Sequence, residues 1–309
     1  MKILFFTGKG GVGKSTMAAA SAWQLSQKFR VLIVSLDPAH NLGDIFGVTV
    51  KGDKMKFSDT LFLSEVNLRK LSKEYLQREI NVLSGTYKYL TALNLDNYFS
   101  VLKYSPGIEE YALLTSIEKT VRDETDFDYV IFDTPPTGLT LRFLALPKVT
   151  LTWIDRLVKI RREILEKRYT IHRIRGTLSS EETILDYREE DDNIMKRLSE
   201  LNQNYTYLDS ILRGNDCRVA VVFNPDILSL RESERLIEGL NDLGLPLRLF
   251  INNKVTEANQ EMASYVETKM KGMAEGVPIE RVQLAKSLLD GRTNALYEVP
   301  ESIVPGSWQ

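Results

Sequence analysis

A nine-residue segment near the N terminus constrains this chain more than any other feature. It has the sequence Gly-Lys-Gly-Gly-Val-Gly-Lys-Ser-Thr, and it follows the apolar run 2–7 and precedes the helix-forming run 17–20. This is the G-x-x-x-x-G-K-[ST] pattern in a strand–loop–helix setting. Glycines let backbone N–H groups turn inward around phosphate oxygens, and the following helix directs its positive end at the same anion. The pattern predicts a phosphate-binding loop; the alternative is a glycine-rich turn that only joins a strand to a helix.

Each part of this loop has an expected role. Lys14 is expected to reach the β- and γ-phosphates, and the Ser15 hydroxyl is expected to ligate Mg²⁺. The residues expected to hold the nucleotide are Gly8, Lys9, Gly10, Gly11, Val12, Gly13, Lys14, Ser15 and Thr16.

Two aspartates follow apolar runs farther along the chain. Asp37 follows the run 31–36, and Asp133 follows the run 128–132. Carboxylates at the carboxyl ends of parallel strands lie in the crevice where open α/β sheets bind ligands. We therefore expect Asp133 to hold Mg²⁺ through a water, and Asp37 to orient the attacking water. The alternative for each is a cap on the next turn or helix.

The apolar runs also predict the fold. Seven short β-rich runs predict strands, the last of them less strongly: 2–7, 31–36, 61–66, 128–132, 218–223, 247–252 and 279–282. Runs such as 31–34 and 129–132 lack the polar alternation of half-exposed strands, as expected when both faces are covered. Helical stretches between such strands predict right-handed crossovers and a doubly wound, mostly parallel α/β sheet. The intervals 67–123 and 150–215 show no convincing strand. We expect one domain over 1–309, built around the phosphate-binding loop, in which these intervals are helical insertions that form a helical subdomain.

Composition excludes several classes of protein. The chain has 40 basic and 42 acidic residues, so no overall positive charge exists to hold nucleic acid. Cys217 is the one cysteine, which rules out an internal disulfide or a thiolate metal cluster within one chain. No apolar stretch approaches the ~18 residues of a membrane span. We expect a cytoplasmic protein that is not an integral membrane protein.

Several motifs occur together in a characteristic order. They are GKGGVGKST (8–16), LDPAHNLGD (36–44), PGIEE (106–110), DTPPTGLTLRFL (133–144), LSLRESERL (228–236) and the Ile-Asn-Asn of 251–253. In this order they resemble the family of arsenite-pump ATPases and tail-anchored-protein targeting ATPases. The resemblance spans nearly the whole chain.

The resemblance implies ATP or ADP with Mg²⁺ as cofactors and a homodimer with two nucleotides at its interface. Lys9 resembles the second lysine of the deviant Walker A loop, which crosses to the partner's nucleotide; an exposed loop lysine is the alternative. Asp37 resembles the switch carboxylate that orients water, and Asp133 the aspartate near Mg²⁺. Asn252 matches the asparagine that reads the adenine edge. The positions where the family closes the nucleotide pocket are Pro225, Asp226 and Leu284.

The sequence departs from the family in its cysteines. The region 254–275 lacks the CxxC pair that binds zinc across some targeting dimers, and one cysteine cannot form the thiolate site of an arsenite sensor. The resemblance implies a targeting chaperone for hydrophobic membrane-protein segments. The alternative is the energising subunit of an anion or metalloid efflux pump that docks on a membrane partner. A partitioning ATPase is a weaker third alternative, because the C-terminal residues lack a basic amphipathic helix.

Two segments offer candidate binding surfaces. The apolar residues of the first insertion form either a client surface or its internal packing: Leu76, Ile80, Leu83, Leu90, Leu93, Leu95 and Phe99. Residues 156–175 contain eight Lys or Arg, and residues 181–192 contain seven Asp or Glu. The basic run either faces acidic headgroups or an acidic partner, or it pairs with the acidic run.

Overall fold

An eight-stranded sheet separates two layers of helices. The computed structural model describes residues 1–38, 41–50, 53–86, 105–175, 187–284 and Ile303. The strands are β1 Lys2–Thr7, β2 Val31–Ser35, β3 Met55–Lys56, β4 Leu61–Glu65, β5 Tyr129–Asp133, β6 Cys217–Phe223, β7 Leu247–Val255 and β8 Ile279–Gln283. Their order across the sheet is β3-β4-β2-β5-β1-β6-β7-β8.

Eight α-helices lie within the described ranges. They are α1 Lys14–Ser26, α2 Asn41–Phe46, α3 Leu68–Thr86, α4 Ile108–Asp123, α5 Thr137–Arg175, α6 Asn193–Arg213, α7 Ile227–Leu243 and α8 Gln260–Met273, with a 3₁₀ turn at Glu257–Asn259 before α8. No helix in these ranges has both the length and the apolarity that crossing a bilayer demands.

The α/β prediction is confirmed. Every strand pair is parallel except β3 with β4, and all seven predicted strands are present. β3 is the strand that sequence analysis missed. It contains only Met55 and Lys56, which are too few residues to show a period.

The central strands are apolar throughout because both of their faces are covered. In β1, Ile3 and Phe5 contact the cluster under α4, α7 and α8, whereas Leu4 and Phe6 contact the cluster under α1. All four side chains are buried. Burying a side chain of this size contributes roughly 1.5–3 kcal/mol, so the two clusters supply most of the stabilising free energy of the sheet.

Helix α5 leaves the sheet and forms an arm with α6. It has 39 residues with Pro147 inside it, and at about 1.5 Å per residue it is about 60 Å long. Its second half packs on α6 around a separate small core of Ile154, Leu165, Met195 and Leu198. The proposed division into a domain and a helical subdomain stays a prediction.

Within the described residues, both candidate binding surfaces show the internal contacts that their alternatives expect. Leu76 and Ile80 of α3 are buried, as the packing alternative expects. The other apolar residues named in the first insertion lie outside the described ranges, or have side chains that do. The basic and acidic runs do meet: Arg161 pairs with Asp192, and Arg162 pairs with Glu189.

Candidate nucleotide site

The glycine-rich loop needs glycine for both conformation and space. Gly8 and Gly13 have φ angles of 148° and 95°. A Cβ at Gly8 would lie 2.1 Å from the Val222 carbonyl oxygen, and a Cβ at Gly13 would lie 2.3 Å from Nδ2 of Asn253. Gly13 also starts α1 without a side-chain cap, so the first N–H groups of that helix stay available to an anion.

Lys14 lies beneath this loop and is only 5% exposed. Its Nζ donates to the Lys9 carbonyl oxygen at 3.3 Å. Burial lowers the pKa of the Lys14 ammonium. The carboxylates of Asp133, Asp37 and Glu232 lie close enough to oppose that shift. The lysine therefore lies among several negative charges, and sequence analysis missed one of them, Glu232 of α7.

Asp133 ends β5 and is fully buried. Burial raises its pKa to about 6, although hydrogen bonds from Ser15 and Ser35 and the charge of Lys14 act the other way. Ser35 Oγ lies 3.5 Å from Oδ2, while Oδ1 has no hydrogen-bond partner in the part of the chain that the structure describes. The tertiary structure thus brings Ser15 and Asp133, the two predicted Mg²⁺ residues, to the same point.

Asp37 follows β2 and is partly exposed. Its charge shifts the pKa values of both Lys14 and Asp133, so the three groups lie in one electrostatic environment. Ala39 and His40, which continue this motif, lie outside the described residues.

Lys9 is partly buried in the loop, where its carbonyl oxygen accepts the Lys14 hydrogen bond. Within the described part of the chain, no ion pair involves the Lys9 ammonium. A role across a dimer interface stays a prediction for this residue.

The end of β7 holds the loop in place. Asn253 Nδ2 donates to the Val12 carbonyl oxygen at 2.8 Å, and Lys254 Nζ donates to the Gly11 carbonyl oxygen at 2.7 Å. Lys254 adopts a left-handed φ of 59°. Sequence analysis assigned no role to either residue. Their position at the carboxyl end of a parallel strand was the available signal.

Asn252 precedes this pair and is fully buried. Its Nδ2 donates to Glu267 Oε1 of α8 at 2.7 Å, while no residue within the described ranges donates to its Oδ1. Glu267 in turn accepts hydrogen bonds from Arg281 of β8. Neither Glu267 nor Arg281 was found from the sequence, because each lies on a different element from Asn252.

The three residues predicted to close the pocket lie after strands at the same edge of the sheet. Pro225 is buried, and Asp226 Oδ1 accepts from the Ser229 N–H at 2.7 Å, which caps α7. Leu284 donates its N–H to the Val255 carbonyl oxygen at 2.9 Å. No hydrogen bond between described residues joins these three to the loop. Their nucleotide contacts stay predictions.

The chemistry of the site fits a nucleoside triphosphate with Mg²⁺. Mg²⁺ takes oxygen ligands, and the Ser15 hydroxyl and the free Oδ1 of Asp133 are of that kind. The loop N–H groups and the Lys14 ammonium match phosphate oxygens. When bound, the ion neutralises charge on the phosphates during transfer. The role of Asp37 in orienting the attacking water stays a prediction.

A sheet whose first strand leads through this loop to a buried lysine defines the P-loop class of nucleoside triphosphatases. The sequence model of the anion-transporting ATPase family (ArsA_ATPase) matches residues 1–277. The chain therefore belongs to this family and is an ATP hydrolase, as the sequence resemblance predicted.

Some relatives are named arsenical pump-driving ATPases, and others are named get3 or ASNA1 homologs. A putative arsenical pump-driving ATPase 2 of Aquifex aeolicus (strain VF5) is 32% identical over 263 residues, covering 84% of this chain and 82% of the relative. ATPase get3 of Schizosaccharomyces pombe is 30% identical over 82% of this chain and 74% of its own length. An ATPase ASNA1 homolog of Plasmodium vivax is 28% identical over 96% of this chain and 74% of its own length.

Proposed function

We propose that this ATPase is a Mg²⁺-dependent cytosolic homodimer whose hydrolysis cycle opens and closes a helical surface for hydrophobic segments of membrane proteins. One observation carries the client part of the proposal. Helix α5 exposes an apolar row whose members are Trp153, Leu157, Ile160, Ile164, Ile171 and Ile174. Trp153 is 65% exposed and Ile174 is 79% exposed.

The spacing of the apolar row supports a helical client. Successive members are three, four or seven residues apart, so they lie along one side of the helix. A contiguous exposed apolar surface of this kind marks an interaction site. An apolar helix laid along such a row makes contacts at the same i, i+3, i+4 and i+7 positions.

Capture of a transmembrane peptide tests the client. We expect a fluorescent transmembrane-helix peptide to bind the chain in the presence of MgATP, and Leu157→Ser to weaken binding roughly tenfold through lost apolar contact. Leu228→Ser is the matched control, because Leu228 is an exposed leucine on α7, outside the apolar row. Equal binding by wild type and Leu157→Ser would remove the apolar row from the proposal.

Sedimentation tests the homodimer. If Lys9 crosses to the partner's nucleotide, Lys9→Ala weakens the ATP-dependent dimer, whereas Lys28→Ala, at an exposed position on another loop, leaves it unchanged. A wild-type chain that remains a monomer at micromolar concentration with MgATP would contradict the dimer. An unchanged sedimentation coefficient for Lys9→Ala would contradict only the trans contact.

A second candidate, the energising subunit of an anion or metalloid pump, is supported by the name of the Aquifex aeolicus relative. The chemistry of this chain opposes metalloid binding through thiolates. Cys217 is buried, and burial raises its pKa to about 12, so the thiol stays protonated. Antimonite that leaves the rate of ATP hydrolysis unchanged, with and without the membrane partner, would eliminate this candidate.

A further inference from the structure

A hydrogen-bonded cluster, buried at its asparagine and glutamate and exposed at its arginine, joins three elements beside the loop. It consists of Asn252 on β7, Glu267 on α8 and Arg281 on β8. We propose that Glu267, held by Arg281, locks the Asn252 amide in one orientation and so makes the site select a purine with a 6-amino group over one with a 6-oxo group. This inference rests on the proposed role of Asn252 at the base edge.

The orientation of the amide follows from hydrogen-bond chemistry. The Asn252 side chain is fully buried, and its nitrogen lies 2.7 Å from Glu267 Oε1. An ionised carboxylate can only accept, so the amide must face it with its NH₂ group. The flipped amide would place its oxygen against a carboxylate oxygen, and no hydrogen bond would form between them.

Arg281 fixes the carboxylate that imposes this orientation. Its Nε donates to Glu267 Oε1 at 2.6 Å, and its Nη2 donates to Oε2 at 2.8 Å. Ser264 Oγ accepts a further hydrogen bond from Nη2 at 3.1 Å. Burial acts to raise the pKa of Glu267, but the hydrogen bonds from Arg281 and Asn252 prevail and lower it. The carboxylate is therefore ionised at neutral pH and held at both oxygens.

With the Asn252 amide held in this orientation, its oxygen Oδ1 is the atom that remains to accept a hydrogen bond from a ligand. Asn252 Oδ1 is buried and accepts no hydrogen bond from any residue that the structure describes. Burying an acceptor without a donor is unfavourable, because the acceptor loses its hydrogen bonds to water. The next two residues, Asn253 and Lys254, hold the loop carbonyl oxygens, which places Asn252 beside the phosphate site. The 6-amino group of adenine supplies the missing donor, whereas a 6-oxo group presents a second acceptor.

Inosine triphosphate is the decisive probe, because its base is adenine with the 6-amino group replaced by a 6-oxo group. We expect calorimetry with Mg²⁺ to give wild-type protein a Kd for ATP roughly tenfold or more below that for inosine triphosphate. In Glu267→Gln the side chain can face Asn252 with either its oxygen or its nitrogen, so the amide is free to flip. The ratio of the two Kd values should then fall roughly tenfold, towards one.

Glu200→Gln is the matched control, because Glu200 forms an exposed ion pair with Arg197 on the arm. Its ratio should equal that of wild type. A purely structural role of Glu267 would weaken both nucleotides equally and leave the ratio unchanged, which would overturn the proposal. A wild-type ratio near one would also overturn it.

Wild-type protein that binds neither nucleotide would contradict the nucleotide site itself and the proposal with it, whereas a ratio near one with ATP bound contradicts only the selection by Asn252. Should Glu267→Gln not fold, Glu267→Ala replaces it, because alanine removes the acceptor that faces the Asn252 NH₂ group. A lowered ratio in that variant supports the lock, and a wild-type ratio in the folded variant rejects it.

Discussion

The carboxyl edge of the sheet and the α5–α6 arm differ in the kind of group that is left without a suitable environment: buried polar atoms at the sheet edge and exposed apolar side chains on the arm. At the sheet edge, some buried polar atoms have no hydrogen bond to any described residue, among them Oδ1 of Asp133 and Oδ1 of Asn252. On the arm, apolar side chains such as Trp153 and Ile174 are exposed to water. Both arrangements cost free energy in the isolated chain. A polar ligand would therefore stabilise the sheet edge, and an apolar ligand would stabilise the arm.

The pKa of a buried aspartate is shifted in opposite directions in the two regions. The pKa of Asp133 is raised to about 6, so its protonated form is favoured by folding, and the associated stability is lost as the pH rises from 3.8 through about 6. Asp192 on the arm has the opposite sign. Burial acts to raise its pKa, but hydrogen bonds from Arg161 and from the Met195 N–H prevail and lower it.

The largest expected effect is at the sheet edge. Asp37→Asn keeps the shape of the side chain and removes the carboxylate that orients water. We expect kcat to fall by roughly 10²- to 10⁴-fold while the Kd for MgATP changes little, measured by phosphate release and calorimetry. Asp59→Asn, at a fully exposed position in the β3–β4 turn, is the control. Normal turnover by Asp37→Asn would refute the assignment.

The next effect is on the stability of the arm. Arg161 makes two hydrogen bonds to Asp192, at 3.0 and 2.5 Å, and both side chains are largely buried. Arg161→Met leaves the carboxylate without its partner and should lower the free energy of unfolding by about 3 kcal/mol in urea titrations. Arg162→Met breaks only the exposed pair with Glu189 and should cost less than about 1 kcal/mol. Equal effects would show that burial does not distinguish these two pairs.

A third prediction compares two isoleucines of α5. Ile154 is 2% exposed in the small core, whereas Ile160 of the apolar row is 53% exposed. Ile154→Ala should lower the free energy of unfolding by roughly 2–5 kcal/mol, whereas Ile160→Ala should change it by less than about 0.5 kcal/mol. A large loss for Ile160→Ala would mean that the chain itself covers the apolar row.

The smallest expected effect is a pH dependence. Because the pKa of Asp192 is lowered in the folded state, its contribution is complete above the ordinary value of 3.8 and is lost as the pH falls through the lowered pKa. The difference in unfolding free energy between wild type and Asp192→Asn should therefore be constant from pH 5 to 7 and shrink in more acidic buffer. Urea titrations across this range measure it. A difference that grows towards low pH would reverse the assigned sign.

Local features of the chain were predictable. The strands have continuous apolar runs because both faces of a parallel sheet are covered, and the loop residues from Gly8 to Thr16 are contiguous. β3 escaped prediction because two residues carry no period. The exposure of the apolar row on α5 also escaped, because apolar spacing on a helix looks the same whether a neighbour covers it or not.

The order of residues alone determined the α/β class, the position of the loop and the family, since these depend on local conformation and short motifs. Tertiary structure decided which distant side chains meet. Asn253 reaches Val12 across 241 positions, and Arg281 lies beside Asn252 only because β8 pairs with β7 in that register. Strand pairing and helix packing determine which distant side chains come into contact, and a local sequence pattern contains no information about either.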